Sequence, residues 1–155
     1  MAIASVDRLY LPRSIRDDIM IHLLAAAPNE GVGLLGVGAP FRDDDGFLSV
    51  EAERFFPGTN IDHSPSRYTM DPQEIIVAFR EMREAGLELG VIVHSHLKGP
   101  ATPSATDVRE ANYPDALMMI VSFASQPAAT GVWRVVPEDD VAVVQSVDFV
   151  IREGR

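Results

Sequence analysis

The alternation of apolar and polar positions divides this chain into a series of strands interrupted by a few helices. The apolar-rich stretch over residues 3–11 predicts a first strand. Pro12 then leads into a helical pattern with Ile15, Ile19, Leu23 and Ala26 on one face, Ser14 as its cap and Pro28 as its stop. Gly31-Val32-Gly33-Leu34-Leu35-Gly36-Val37 is apolar throughout and reads as a buried strand, with the turn Asp43-Asp44-Asp45-Gly46 leading to a hairpin partner over residues 47–56. A loop rich in Pro, Gly, Asn and Ser follows over residues 57–67. Asp71-Pro72 opens a second helix, with Ile75, Phe79 and Met82 at helical spacing and Gly86 at its end. Residues 87–96 read as a strand entering a loop marked by Gly99-Pro100, and Ser104 opens a short helix. Three further strands are expected over residues 116–124, 130–136 and 141–151. The predicted fold class is α/β (α+β), a mixed sheet with two or three helices, in a single domain of 155 residues.

Composition narrows the chemistry. Hydrophobic residues make up 46%, enough for one core, and no run approaches the ~18 apolar residues of a membrane helix. The first seven residues lack a basic start and a long apolar stretch, so no signal peptide is expected and the expected location is cytoplasmic, away from membranes. A net charge of -10, from 13 basic and 23 acidic side chains, disfavours nucleic acid as a partner. The chain has no cysteine, which excludes disulfides, thiolate nucleophiles and sulfur-held zinc. A metal would have to be held by carboxylates and the four histidines.

Those constraints direct attention to residues 94–107. Residues two apart on a strand point to the same side, so His94 and His96 can aim both imidazoles at one point. Asp107 falls in the first turn of the following helix, able to face them. Two imidazoles and a carboxylate suit zinc and leave a fourth position for water. Each part has a plainer reading alone. A His-x-His pair is more often a polar strand edge, and Ser104-x-x-Asp107 is a capping-box-like helix start. Together they are harder to dismiss: at this chain's own residue frequencies the four-residue pattern arises by chance roughly once in two thousand. Capping and a site are also compatible, because a cap would fix both side chains.

His-x-His-x7-Ser-x2-Asp, read from His94 to Asp107, resembles the JAMM signature of the MPN+ metalloproteases. Pro28-Asn29-Glu30-Gly31-Val32-Gly33-Leu34-Leu35-Gly36 is similar to that family's glutamate-bearing segment. Gly36 comes one position early, a departure that bears on the strand register after Leu35 and not on Glu30. The resemblance implies one Zn2+ per chain on His94, His96 and Asp107, with Glu30 as general base and Ser104 as oxyanion donor. Without it, Glu30 reads as an ordinary surface carboxylate. It also implies a curved sheet with flanking helices, the MPN/JAB fold related to cytidine deaminases. The implied activity is that of a zinc metallopeptidase or isopeptidase cutting after the Gly-Gly tail of a ubiquitin-like or sulfur-carrier protein, as in the short stand-alone prokaryotic members. Two other classes compete. One is a metal-free MPN-type interaction scaffold, which usually lacks part of the ligand set. The other is a RadC-type DNA-associated protein, which carries His-Asn-His-Pro where this chain has His94-Ser95-His96-Leu97.

Elsewhere, His22 is expected at a helix surface or core edge, His63 in a solvated loop, and Met118, Met119 and Trp133 in the core. The acidic turn at residues 43–45 is expected to be solvated. A groove for an extended tail is expected between residues 57–67 and 97–103.

Overall fold

The computed structural model describes residues 3–138 and 141–153. A turn of 3-10 helix, Ile3–Ser5, precedes β1 (Arg8–Pro12) and α1 (Arg13–Ala26). Then come β2 (Val32–Val37), β3 (Phe41–Arg42), β4 (Leu48–Gly58), α2 (Pro72–Ala85), β5 (Glu88–His96) and α3 (Ala105–Arg109). The last four strands are β6 (Leu117–Ser122), β7 (Ala129–Glu138), β8 (Val141–Ser146) and β9 (Asp148–Arg152). Among the described residues, all nine strands belong to one mixed sheet, ordered β8-β7-β6-β5-β2-β4-β1-β9 with β3 on β4. No helix among the described residues is long and apolar enough to cross a membrane.

The order of the strands dictates the shape. β8 and β9 lie at opposite ends of the sheet, yet only Val147 separates them in sequence. Eight strands at ~4.8 Å spacing would hold flat ends about 34 Å apart, so the sheet must curl until its ends meet. The Val147 N–H donates to the Val132 carbonyl at 2.8 Å, and its side chain enters the core. The expectation of one strand over residues 141–151 is therefore corrected. The run is apolar enough for one strand, but Val147 hands it from one end of the sheet to the other.

Curling makes an inside and an outside, and both are covered. Leu35, Val37, Val91 and Val93 pack with Leu9, Ile19 and Leu23 in the larger core cluster. Val32 and Leu34 face the other way, with Phe56, Met70, Ala78 and Met82 and the partly buried Ile92. Every residue of β2 is buried, which accounts for its uninterrupted apolar sequence. Its pairing shifts register on β5 between Leu35 and Gly36 and on β4 between Gly36 and Val37, where the early glycine falls.

Helix α2 follows its sequence signals: Asp71 accepts from the Gln73 N–H, Pro72 opens the helix, and Gly86 closes it in the left-handed region. Three expectations are corrected. Residues 3–5 form a 3-10 turn, because the Ile3 carbonyl accepts from the Val6 N–H, and the strand begins only at Arg8. Ser14 lies inside the first turn of α1 and caps nothing, since the chain passes straight from β1 through Pro12 into the helix. The acidic turn is solvated at Asp44 and Asp45 only. Asp43 turns inward, its side chain 4% exposed, and accepts hydrogen bonds from Arg8, Tyr10 and Ser49.

Candidate metal centre

Strand β5 lies between β2 and β6, so its residues alternate between the two core clusters. His94 and His96 therefore share the side of Ile92, and Ser95 turns toward the side of Val93. The imidazole centroids are 5.2 Å apart. His94 is fully buried, and the Tyr68 ring stacks on it at 4.6 Å. Burial pushes His94 down to about 4, against the pull of Asp107, so its ring is neutral near pH 7. Both of its ring nitrogens lack a hydrogen-bond partner. The His96 Nδ1–H donates to the Pro100 carbonyl at 2.7 Å, an outer contact that directs Nε2 into the site. That Nε2 lies 3.0 Å from Asp107 Oδ2.

Asp107 reaches this point because α3 is capped reciprocally. Ser104 Oγ accepts from the Asp107 N–H at 3.0 Å, and Asp107 Oδ2 accepts from the Ser104 N–H at 2.9 Å. The same oxygen is 3.8 Å from His94 Nε2. Burial alone would raise the Asp107 carboxyl, but the hydrogen bond with His96, the proximity of His94 and the Ser104 N–H together pull it down to about 2. One donor atom each from His94, His96 and Asp107 lies within 4.8 Å of the others. Unpartnered nitrogens on a buried neutral imidazole, converging with a carboxylate, are what a divalent metal site requires. The residues fit such an ion.

Glu30 stands beside this cluster. It is 4% exposed, and its Oε1 lies 4.0 Å from His94 Nδ1 with no hydrogen-bond partner. Burial pushes its carboxyl up to about 7; His96 opposes the shift and Asp107 adds to it. Its backbone is held at both ends. The Glu30 N–H donates to the Ser64 carbonyl at 2.8 Å, and the Glu30 carbonyl accepts from Asn60 Nδ2 at 3.0 Å. Gly31 then joins the histidine strand: its N–H donates to Ser95 Oγ at 2.8 Å and its carbonyl accepts from the Ser95 N–H at 3.1 Å. A Cβ at Gly31 would meet Leu23 Cδ2 at 2.8 Å, so a larger residue here would have to displace the Leu23 side chain beneath α1.

A cleft of about 600 Å³ adjoins Asp107. One wall includes Arg67, Tyr68 and Met70, the other Asp107, Tyr113 and Leu117, with Val32 and Ile92 also lining it. Of the two loops expected to flank a groove, only Arg67 contributes. Residues 97–103 are drawn down onto the sheet instead. The Gly99 carbonyl accepts from Ser122 Oγ at 2.6 Å and the Ala101 carbonyl from Trp133 Nε1 at 2.9 Å. Trp133 is thus a half-buried anchor for this loop, while Met118 and Met119 are core residues as expected.

The structure brings His94, His96, Asp107 and Glu30 together. Ser104 is exposed at the helix start, with a hydroxyl proton that the cap does not use. His22 lies at the core edge, its Nε2–H shared between the Val32 and Gly58 carbonyls at 3.0 Å each. His63 is exposed in its loop. Sequence reasoning missed Tyr68, Asn60 and the clamp made by Ser95. Only Asn60-x-Asp62 carried a signal, a side chain able to turn its own backbone.

Residues 12–136 match the family described as prokaryotic homologs of the JAB domain. The chain belongs to that family. Among its JAB-domain relatives, the probable TtuB-protein conjugate cleaving protease of Thermus thermophilus is 39% identical over 106 residues, covering 68% of this chain and 64% of that protein. The chain thus spans just under two thirds of that relative's length. The CysO-cysteine peptidase of Mycobacterium tuberculosis is 37% identical over 112 residues, covering 70% of this chain and 71% of the relative. The solution structure of protein DSY2949 from Desulfitobacterium hafniense superposes with a TM-score of 0.78 at 32% identity, covering 94% of both chains. The shared fold agrees with the curved mixed sheet expected for a JAB domain.

Proposed function

We propose that this JAB-domain protein is a zinc-dependent peptidase or isopeptidase. Its substrate is the amide bond after the Gly-Gly tail of a ubiquitin-like or sulfur-carrier protein, and its expected location is the cytoplasm. The observation that carries this reading is the buried group of His94, His96 and Asp107, with unpartnered imidazole nitrogens and Glu30 alongside. The names of the relatives point the same way, toward TtuB-protein conjugates and CysO-cysteine.

Zinc held by His94, His96 and Asp107 would supply Lewis acidity and lower the pKa of water in its remaining position. The protein's own groups supply the rest. Glu30, a buried carboxylate beside the metal group, accepts the proton of the attacking water and returns it to the leaving amine. The Ser104 hydroxyl donates to the oxyanion that develops at the carbonyl. The cleft beside Asp107 accepts the tail in extended form, and glycines suit it because they let the scissile backbone approach closely. A folded carrier adds remote contacts that a short peptide lacks.

The test compares kcat/KM for carrier conjugates ending in Gly-Gly, the same conjugates ending in Ala-Ala, and a tail-only peptide. The Gly-Gly conjugate is expected to be cleaved fastest. Equal rates on all three would indicate a general peptidase and remove the substrate assignment.

A further inference from the structure

Asn60 makes four side-chain hydrogen bonds, every one of them to backbone. Its Oδ1 accepts from the Asp62 and Thr69 N–H groups, both at 3.1 Å. Its Nδ2 donates to the Arg67 carbonyl at 2.9 Å and to the Glu30 carbonyl at 3.0 Å. The amide is 8% exposed, and its capacity of two donors and two acceptors is fully used. Only one orientation of the amide satisfies two N–H groups and two carbonyls.

These four bonds link two parts of the site. The segment from Asn60 to Met70 is closed on itself by a β-bridge between those residues and by the Ile61 N–H donating to the Thr69 carbonyl at 2.9 Å. It carries Tyr68, which stacks on His94, and its last residues form one wall of the cleft. Glu30 belongs to a different part of the chain, thirty residues earlier. It is tied to this loop through its N–H on Ser64 and its carbonyl on Asn60. Its Oε1, by contrast, has no hydrogen-bond partner among the described residues. The position of the carboxylate is therefore set through the backbone.

We propose that Asn60 is a positioning residue that fastens Glu30 to the wall of the cleft, so that a bound tail and the general base are held by one rigid loop. This rests on the function proposed above. The two donated bonds are the working part, and the two accepted bonds shape the loop itself.

Asn60→Asp separates them, because the carboxylate keeps both accepted bonds and loses both donated ones. The expected result is a fall in kcat of at least about tenfold with KM within about twofold, and unchanged zinc content. In a Glu30→Ala background the same substitution should cost nothing further, since its effect runs through Glu30. Amide hydrogen exchange supplies a readout without turnover: the Glu30 N–H should exchange faster while the Ile61 N–H keeps its protection. If Asn60→Asp does not fold, Asn60→Ser, whose single, shorter hydroxyl cannot donate to both carbonyls, carries the same expectations for kcat and for Glu30 exchange. Wild-type kcat together with unchanged Glu30 exchange would overturn the inference, as would an equal loss of rate in the Glu30→Ala background. If the wild type cleaves no conjugate, the functional reading fails, and Glu30 exchange still decides whether the tether exists.

Discussion

Asp43 and Glu30 are two carboxylates hidden to the same degree, with side chains 4% and 5% exposed, and their surroundings drive them in opposite directions. Asp43 has five partners. Oδ1 accepts from the Asp45 and Phe47 N–H groups, and Oδ2 accepts from the Tyr10 hydroxyl at 2.8 Å, the Ser49 hydroxyl at 3.0 Å and Arg8 at 3.1 Å. Burial alone would raise this acid, but the donated hydrogen bonds overrule it and hold it at about 2. Glu30 has no donor on Oε1 and is pushed up to about 7. A buried acid with a full set of donors holds structure together. One left without them costs stability and is suited to moving a proton.

Exchanging the acids for their amides should separate the two roles. Glu30→Gln should keep its metal and lose about 10²- to 10⁴-fold in turnover, the usual weight of a general base. Its metal-free form should be at least as stable as the wild type, since a buried carboxylate with an unpartnered oxygen is gone. Asp43→Asn should do the reverse, with kcat unchanged and a lower thermal midpoint at pH 7. Full activity in Glu30→Gln, or lost activity in a folded Asp43→Asn, would dissolve the contrast.

Smaller effects sharpen it. Ser104→Ala should keep the metal but lower kcat on the order of 10²- to 10³-fold through the missing oxyanion donor. It should also cost about 1 kcal/mol of stability through the missing cap. Acid titration gives the last contrast. Because the Asp43 pKa is held below its unfolded value, its stabilisation is fully present above about pH 4 and is lost as the pH falls toward 2. The gap in thermal midpoint between wild type and Asp43→Asn should therefore close over that interval, and a gap independent of pH would contradict the assignment.

The candidate metal group was legible in the sequence for a reason peculiar to it. His94 and His96 share a face through strand parity, and Ser104 and Asp107 are spaced for a cap, so two local rules set the three candidate ligands in advance of any tertiary contact. The apolar run of β2 and the Asp71-Pro72 start of α2 were equally local. What stayed hidden depends on contacts between distant segments. Tyr68 reaches His94 from another loop, and Asn60 reaches Glu30 across thirty residues. Asp43 looked like one of three solvated turn residues because its donors, Arg8 and Tyr10, lie on β1. The division at Val147 left no mark because both halves are apolar, and only the curl of the sheet assigns them to opposite ends.

The most direct test of the account is the metal content of the purified protein, measured by elemental analysis on wild type, His94→Ala and Asp107→Ala. The expected result is close to one zinc per chain in the wild type and loss of it in both variants. Wild-type protein that carries no zinc, and takes up none when zinc is added, would contradict the proposed metallopeptidase.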